Sequence, residues 1–252
     1  MCIRDRDMHI AIVGGKRVRI RLADDLREER SHSVSLSADL YHTFGKVQTN
    51  LLVEGFYTIL DDVFALRDMD DAADGGKVKE RYNGSGATVR GFNVEGRAAF
   101  TRWFELQAGV TLQQSRYKEP EFWSEDAEVP PVRRMFRTPD AYGYFTASFK
   151  PVRNFTADLS GTCTGSMLVQ HMAGSGVAQD VAVSTPSFFD MNIRLSYDVR
   201  IYKEITMQLY GGVQNLFNAY QKDFDKGVDR DSGYIYGPSL PRSWFVGAKF
   251  SF

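Results

Sequence analysis

Asp68, Asp70, Asp71 and Asp74 crowd into one short stretch just after Asp61 and Asp62, and Asp223, Asp225, Asp229 and Asp231 repeat the pattern near the carboxyl end. Clustered carboxylates could hold Ca²⁺, but a helix–loop–helix calcium loop needs oxygens at fixed positions around a central glycine. The order Asp68-Met69-Asp70-Asp71-Ala72-Ala73-Asp74-Gly75 does not supply them, so solvated acidic loops are expected. His9, His32, His42 and His171 have no partner at metal-site spacing, and Cys2 and Cys163 form neither a disulfide framework nor a metal motif. They read as scattered surface histidines and lone cysteines. Ser175 and Ser184 lie in no Gly-x-Ser-x-Gly context, and His171 with Asp180 is the nearest approach to a hydrolytic pair. The residues therefore assign no catalytic group, no metal ligand and no cofactor. What remains is a set of aromatic and cationic side chains, Tyr117, Phe122, Trp123, Arg133, Arg134, Arg137, Tyr234 and Tyr236. Such residues bind ligands by stacking and by charge-assisted hydrogen bonds. The alternative for each is interfacial anchoring or loop packing.

Those residues fall between segments of unusual regularity. From Phe189 to Ile201, Phe189, Met191, Ile193, Leu195, Tyr197, Val199 and Ile201 alternate with Asp190, Asn192, Arg194, Ser196, Asp198 and Arg200. Only a β-strand separates such sets onto two faces. The same alternation marks Val34–Tyr41, Phe104–Leu112, Phe155–Met167, Ile205–Val213 and Trp244–Phe252, and more weakly Gln48–Leu60, Val89–Phe100 and Tyr142–Lys150. Nine strands are expected, and the chain is all-β.

The connections between them alternate in length. Short turns fall near 43–46, 101–103, 151–154 and 202–204, and long ones near 62–86, 118–139, 169–187 and 216–242. Four long connections in a compact domain are unusual. In an up-and-down antiparallel sheet all four emerge on one side, the asymmetry of outer-membrane barrels with short periplasmic turns and long outer loops. The longest uninterrupted apolar runs, at Ile10–Val13 and Val63–Leu66, are far short of the roughly 20 residues of a spanning helix. A spanning strand needs only about 10, with alternate ones apolar. Charged residues in the polar sets, such as Asp190, Arg194, Asp198 and Arg200, suit a hydrated lumen and leave the apolar sets for lipid. A soluble two-sheet sandwich would show similar alternation. A formal net charge of -1 argues against a nucleic-acid partner. The stretch Met1-Cys2-Ile3-Arg4-Asp5-Arg6 is not a signal peptide, and residues 1–8 read as a non-native or truncated start.

The carboxyl end carries the most specific pattern. Phe252, Phe250, Ala248, Val246 and Trp244 occupy every second position of the last nine residues, and the chain ends on an aromatic. Upstream stand Asn215-Leu216-Phe217-Asn218 with Tyr220, then Tyr234-Ile235-Tyr236-Gly237-Pro238 and Pro241-Arg242. In this order the segments resemble the carboxyl-terminal end of TonB-dependent outer-membrane receptors. Leu51–Phe64 and Gly165-Ser166-Met167 running to His171 are similar to the same family. The resemblance implies that residues 9–252 are the carboxyl-terminal part of a barrel of roughly 22 strands. It implies that Trp244, Val246, Phe250 and Phe252 form the signal read by the outer-membrane assembly machinery. It further implies energised uptake of a scarce solute, a ferric siderophore or similar metal chelate, with TonB engaging an N-terminal region outside this chain. Tyr117, Phe122, Trp123, Arg137, Tyr234 and Tyr236 are then the expected ligand-loop residues. A passive pore and a structural or adhesive barrel are the alternatives.

Overall fold

The computed structural model describes residues 9–13, 16–69, 77–124, 126–202 and 205–251. The expectations for residues 1–8, for Asp70, Asp71 and Asp74, and for Phe252 lie outside the described residues. In chain order the strands are β1 (His9–Val13), β2 (Lys16–Leu22), β3 (Arg30–Phe44), β4 (Val47–Asp61), β5 (Phe64–Met69), β6 (Lys77–Asn83), β7 (Ala87–Thr101) and β8 (Phe104–Glu121). They continue with β9 (Val132–Arg134), β10 (Ala141–Phe149), β11 (Phe155–Thr164), β12 (Leu168–His171), β13 (Val181–Ser184), β14 (Phe188–Tyr202), β15 (Ile205–Gln214) and β16 (Ser243–Ser251).

One sheet runs β3, β4, β7, β8, β10, β11, β14, β15, β16 in space, each pair antiparallel, with β9 as a spur on β8. These nine are the nine expected strands, in sequence order and up-and-down. They form a single sheet, so the sandwich alternative fails: no second sheet of comparable size faces it among the described residues. The long connections contain strands that the alternation did not mark. β1 and β2 join β6 and β5 in a four-stranded sheet, with β2 and β6 parallel. β12 and β13 pair with each other inside the third long connection. Most of these strands are short and carry no clean two-faced pattern; β2 is the exception, with Val18, Ile20 and Leu22 alternating with Arg17, Arg19 and Arg21. The expected strand Phe155–Met167 ends earlier, at Thr164. Beyond it the backbone changes partners: Gly165 N–H donates to Ala141 O at 2.8 Å, and Met167 N–H to Thr185 Oγ1 at 3.1 Å.

Register keeps the apolar parity aligned across the sheet. Residues directly opposite in antiparallel pairs project to the same face. Ala38, Val53, Val94, Val110, Gly143, Cys163 and Phe189 therefore form one continuous row. One position along, Asp39, Leu52, Glu95, Gly109, Tyr144, Thr162 and Asp190 form a row on the opposite face. That second face is cross-linked by side chains. Gln107 Nε2 donates to Glu95 Oε1 at 2.7 Å and to Tyr144 Oη at 3.1 Å, Ser148 Oγ to Asp158 Oδ1 at 2.7 Å, and Gln208 Nε2 to Asp198 Oδ1 at 2.9 Å. An Arg97–Glu105 ion pair adds to it.

Burial is inverted relative to a water-soluble protein. On β8, Val110 and Leu112 are 45% and 55% exposed, whereas Thr111 and Ser115 between and beyond them are 8% and 1% exposed. An apolar face this broad left open marks a contact surface for another apolar phase. At the short-turn end Trp103 meets Phe149 edge-on at 5.0 Å, and Phe100 stacks on Phe104 at 5.4 Å. This aromatic band matches the interfacial girdle of a membrane barrel.

Candidate ligand-binding site

All four long connections leave the sheet at one end and are tied together there. The last of them is anchored by Asn215, fully buried just after the end of β15. Its Nδ2 donates to Ala219 O at 2.9 Å and to Leu240 O at 2.8 Å, and its Oδ1 accepts from Ala219 N–H at 2.8 Å. Asn215 and Asn218 adopt φ of 49° and 53°, the left-handed region in which asparagine is better tolerated than most residues. Asn218 Oδ1 accepts from Arg242 N–H at 3.0 Å. The Asn-Leu-Phe-Asn stretch is thus a structural knot that sets the path of the last loop on both sides.

Within that loop Tyr234 and Tyr236 turn inward, 2% and 7% exposed, and pack with Val169 and Phe188. Both hydroxyls donate to one carboxylate, Tyr234 to Asp223 Oδ2 at 2.7 Å and Tyr236 to Asp223 Oδ1 at 2.5 Å. Burial and the Asp223 charge hold both phenols above their ordinary range, so they stay protonated donors. For Asp223, partial desolvation would raise the carboxyl, but hydrogen bonds from Tyr236, Tyr234, its own backbone and Gln221 together hold it below the usual carboxylate range. Gln221 braces the same segment, its Oε1 accepting from Tyr236 N–H at 2.9 Å and its Nε2 donating to Tyr234 O at 3.1 Å. Gly237, at φ 85°, passes so close to Phe188 that a Cβ there would lie 2.8 Å from the ring.

His171 departs from the expectation of a surface histidine. It is buried, stacks on Tyr234 with ring centroids 3.7 Å apart, and its Nε2 lies 2.9 Å from Asp225 Oδ1. Asp180, the nearest sequence candidate for a hydrolytic pair with it, accepts instead from Ser124 Oγ at 2.7 Å and from Ala173 N–H at 2.6 Å. His171 and Asp180 are therefore engaged separately, each joining two connections. Arg137 has φ 56° and donates from Nη1 to Ile235 O at 2.9 Å and from Nη2 to Gly233 O. Arg134 lies 3.1 Å from Asp140 and donates to Ser166 O at 2.6 Å. Arg133 is exposed on β9.

The interlocked connections enclose a cleft of about 430 Å³. Every long connection contributes to its wall: Val63 to Leu66 from the first, Trp123 and Phe136 from the second, Gln170 and Met172 from the third, and Asp231 and Gly233 from the fourth. Four of the six expected ligand-loop residues, Tyr117, Phe122, Trp123 and Arg137, line it together. Tyr234 and Tyr236 do not; they stand behind it in the packed cluster. Trp123 meets Phe136 edge-on at 5.4 Å, and its indole N–H is buried with no hydrogen-bond partner. Phe122 is strongly exposed at the mouth. Lys79, Glu121 and Asp231 add charge of both signs. Burial pushes the Glu121 carboxyl up, and burial followed by Glu121 does the same to the Tyr117 phenol. Sequence reasoning missed Lys79 of β6, Gln170 of β12, Glu121 at the far end of β8 and Met172 just after β12, because no local pattern marks a cleft wall. Among the described residues no group of three or more His, Cys, Asp or Glu gathers as a metal site. Trp244 and Val246 project from the free edge of β16, 76% and 90% exposed, with Phe250 on the same face.

The sequence profile of the family described as "TonB dependent receptor-like, beta-barrel" matches residues 11–216. No curated protein matches this chain. Among solved structures, the ferric-catecholate import receptor Fiu of E. coli K12 superposes with a TM-score of 0.60 at 16% identity, over 96% of this chain and 29% of that one. The ferric enterobactin receptor PfeA of Pseudomonas aeruginosa gives 0.60 at 15% identity, over 92% and 32%. The copper transporter OprC gives 0.61 at 13% identity, over 91% and 32%. This chain spans about a third of the length of these structures. At such identities the likeness establishes the fold.

Proposed function

This chain belongs to the TonB-dependent receptor β-barrel family, and on that premise we propose that it supplies nine strands and the ligand-gathering loops of an outer-membrane receptor that takes up a scarce solute, a ferric siderophore or similar metal chelate. The observation that carries the proposal is the cleft to which all four long connections contribute. It sits at one end of a sheet whose apolar face is open and whose polar face is hydrogen-bonded. The ferric-catecholate, ferric enterobactin and copper receptors of the same fold support a metal-bearing cargo.

In this reading acyl chains cover the apolar face, and the polar face borders a hydrated lumen. Tyr117, Phe122 and Trp123 supply stacking surface, and the Trp123 indole N–H supplies a donor that a ligand acceptor would satisfy. Tyr234, Tyr236, Asn215 and Arg137 hold the loops that form the walls. β3 and β16 are the outermost of nine up-and-down strands, so they run in the same direction. Antiparallel closure then requires further strands between their free edges, as a larger barrel provides. Energy would come from TonB engaging a region outside this chain, and the β16 face carrying Trp244, Val246 and Phe250, with Phe252, would be read by the assembly machinery.

Uptake of radiolabelled ferric catecholate and other metal chelates by cells expressing a complete barrel with this chain tests the proposal. Trp123→Ala and Tyr117→Ala should each weaken binding about tenfold, the loss of one stacking contact. An uncoupler should stop uptake without stopping binding. Uptake that persists with the uncoupler would instead indicate a passive pore. Binding of every chelate tested that is unchanged in both variants would refute the cleft as the capture site.

A further inference from the structure

The apolar face holds a groove of about 630 Å³ across β3, β4, β7 and β8. Its floor is Gly55, which register places between Leu36 of β3 and Phe92 of β7, and Leu112 of β8 continues the wall beyond Phe92. A position with no side chain, flanked by exposed bulky ones, leaves a channel wide enough for a flexible apolar chain. Two residues toward the long connections, about 7 Å along each strand, the next row on the same face reads Val34, Tyr57, Arg90, Gln114. Arg90 is exposed, and its Nη2 donates to Gln114 Oε1 at 2.8 Å, which fixes the guanidinium over the end of the groove. Arg116 stands one row farther out, opposite Thr88. Asp140, the carboxylate among the lining residues, lies 3.1 Å from Arg134, so its charge is already matched.

An apolar channel that ends on a fixed guanidinium repeats the polarity of a phosphorylated lipid, acyl chain first and phosphate next. A guanidinium binds phosphate through parallel N–H donors. We propose that this groove holds one acyl chain of a phosphorylated lipid in the leaflet on the long-connection side, with the lipid phosphate on Arg90. The inference rests on the orientation given under Proposed function, apolar face toward acyl chains. The bound lipid would act as a fixed part of the barrel wall beneath the first two long connections.

The test uses a complete barrel carrying this chain, in detergent micelles, exchanged with bisphosphorylated lipid A or with its dephosphorylated form and read by native mass spectrometry. Wild type should retain one bisphosphorylated lipid about tenfold more strongly than the dephosphorylated one, the effect of one charge-assisted hydrogen-bonded contact. Arg90→Gln should abolish that preference. Gly55→Ile should lower retention of both lipids. A Cβ at Gly55 would meet the Phe92 ring at 3.5 Å, an ordinary contact, so this variant should fold. Equal retention of the two lipids by wild type, or wild-type retention in both variants, overturns the proposal. A bimane label on Leu195→Cys, with Cys2 and Cys163 replaced by serine so that no other thiol of the chain reacts, separates this from the underlying orientation. If brominated acyl chains quench the label while lipid selectivity is missing, the groove proposal alone fails. If they do not quench it, the orientation fails as well.

Discussion

Exchanging charge and grease at two adjacent residues of β14 tests the sidedness on which the functional reading rests. Leu195 sits midway along the strand, seven residues from Phe188 and seven from Tyr202. It faces out beside Ala157 and Gly211, neighbours with no polar side chain to meet a cation. Leu195→Arg therefore places a guanidinium near mid-bilayer with no partner, and should destabilise the barrel by ~2–4 kcal/mol. Arg194 points the other way. It lies opposite Asp158, its guanidinium is 4.6 Å from the Tyr210 ring centroid, and it makes a long 3.4 Å hydrogen bond to Gln208. Arg194→Leu loses a solvent-accessible cation–π contact of ~0.5–1 kcal/mol, and Asp158 keeps Ser148 as a donor. Urea titrations of the two variants of a complete barrel, folded in lipid vesicles and compared at equal m-values, should differ by about 1–3.5 kcal/mol, the Leu195→Arg variant being the weaker. Equal costs, or a larger cost for Arg194→Leu, would refute the assignment of the apolar face to lipid.

Further outcomes follow from the loops and the last strand. Asn215→Ala removes three hydrogen bonds from a buried site and should raise the susceptibility of the last long connection to proteolysis, consistent with a local cost of about 2–3 kcal/mol; unchanged cleavage kinetics would show that the knot is dispensable. Asp223 has a folded-state pKa below its unfolded value of about 3.9. Its stabilisation is present above that value and is lost as pH falls through the lower folded one. The difference in amide-exchange protection at Tyr234 and Tyr236 between wild type and Asp223→Asn should therefore stay constant from pH 7 to about 4 and shrink below, whereas a difference that collapses near neutral pH would contradict this sign. Phe250→Ser, on the outward face of β16, should lower the yield of assembled, heat-modifiable barrel in cells; full assembly would argue against a signal in that face.

The nine-strand sheet was legible in the sequence because a strand between lipid and water must alternate at every step. Phe189–Ile201 states this without exception, and the alternation of short and long connections orders the remaining strands. Register then followed, since a one-residue slip would set Val110 against a polar row and carry its face with it. The class of the ligand-loop residues was legible too, and Tyr117, Phe122, Trp123 and Arg137 do converge. Their division of labour was not. Tyr234 and Tyr236 share a residue type with Tyr117, yet Asp223 and Phe188 draw them into a packed cluster through contacts that no local pattern encodes. His171 looked like a solitary histidine until folding set Asp225 and Tyr234, both more than fifty residues away, against its ring. The strands within the loops and the groove at Gly55 belong to the same class. Periodicity reports the medium on either side of a strand, which sequence alone can carry; the walls of a cleft depend on which distant segments meet, and only the tertiary fold decides that.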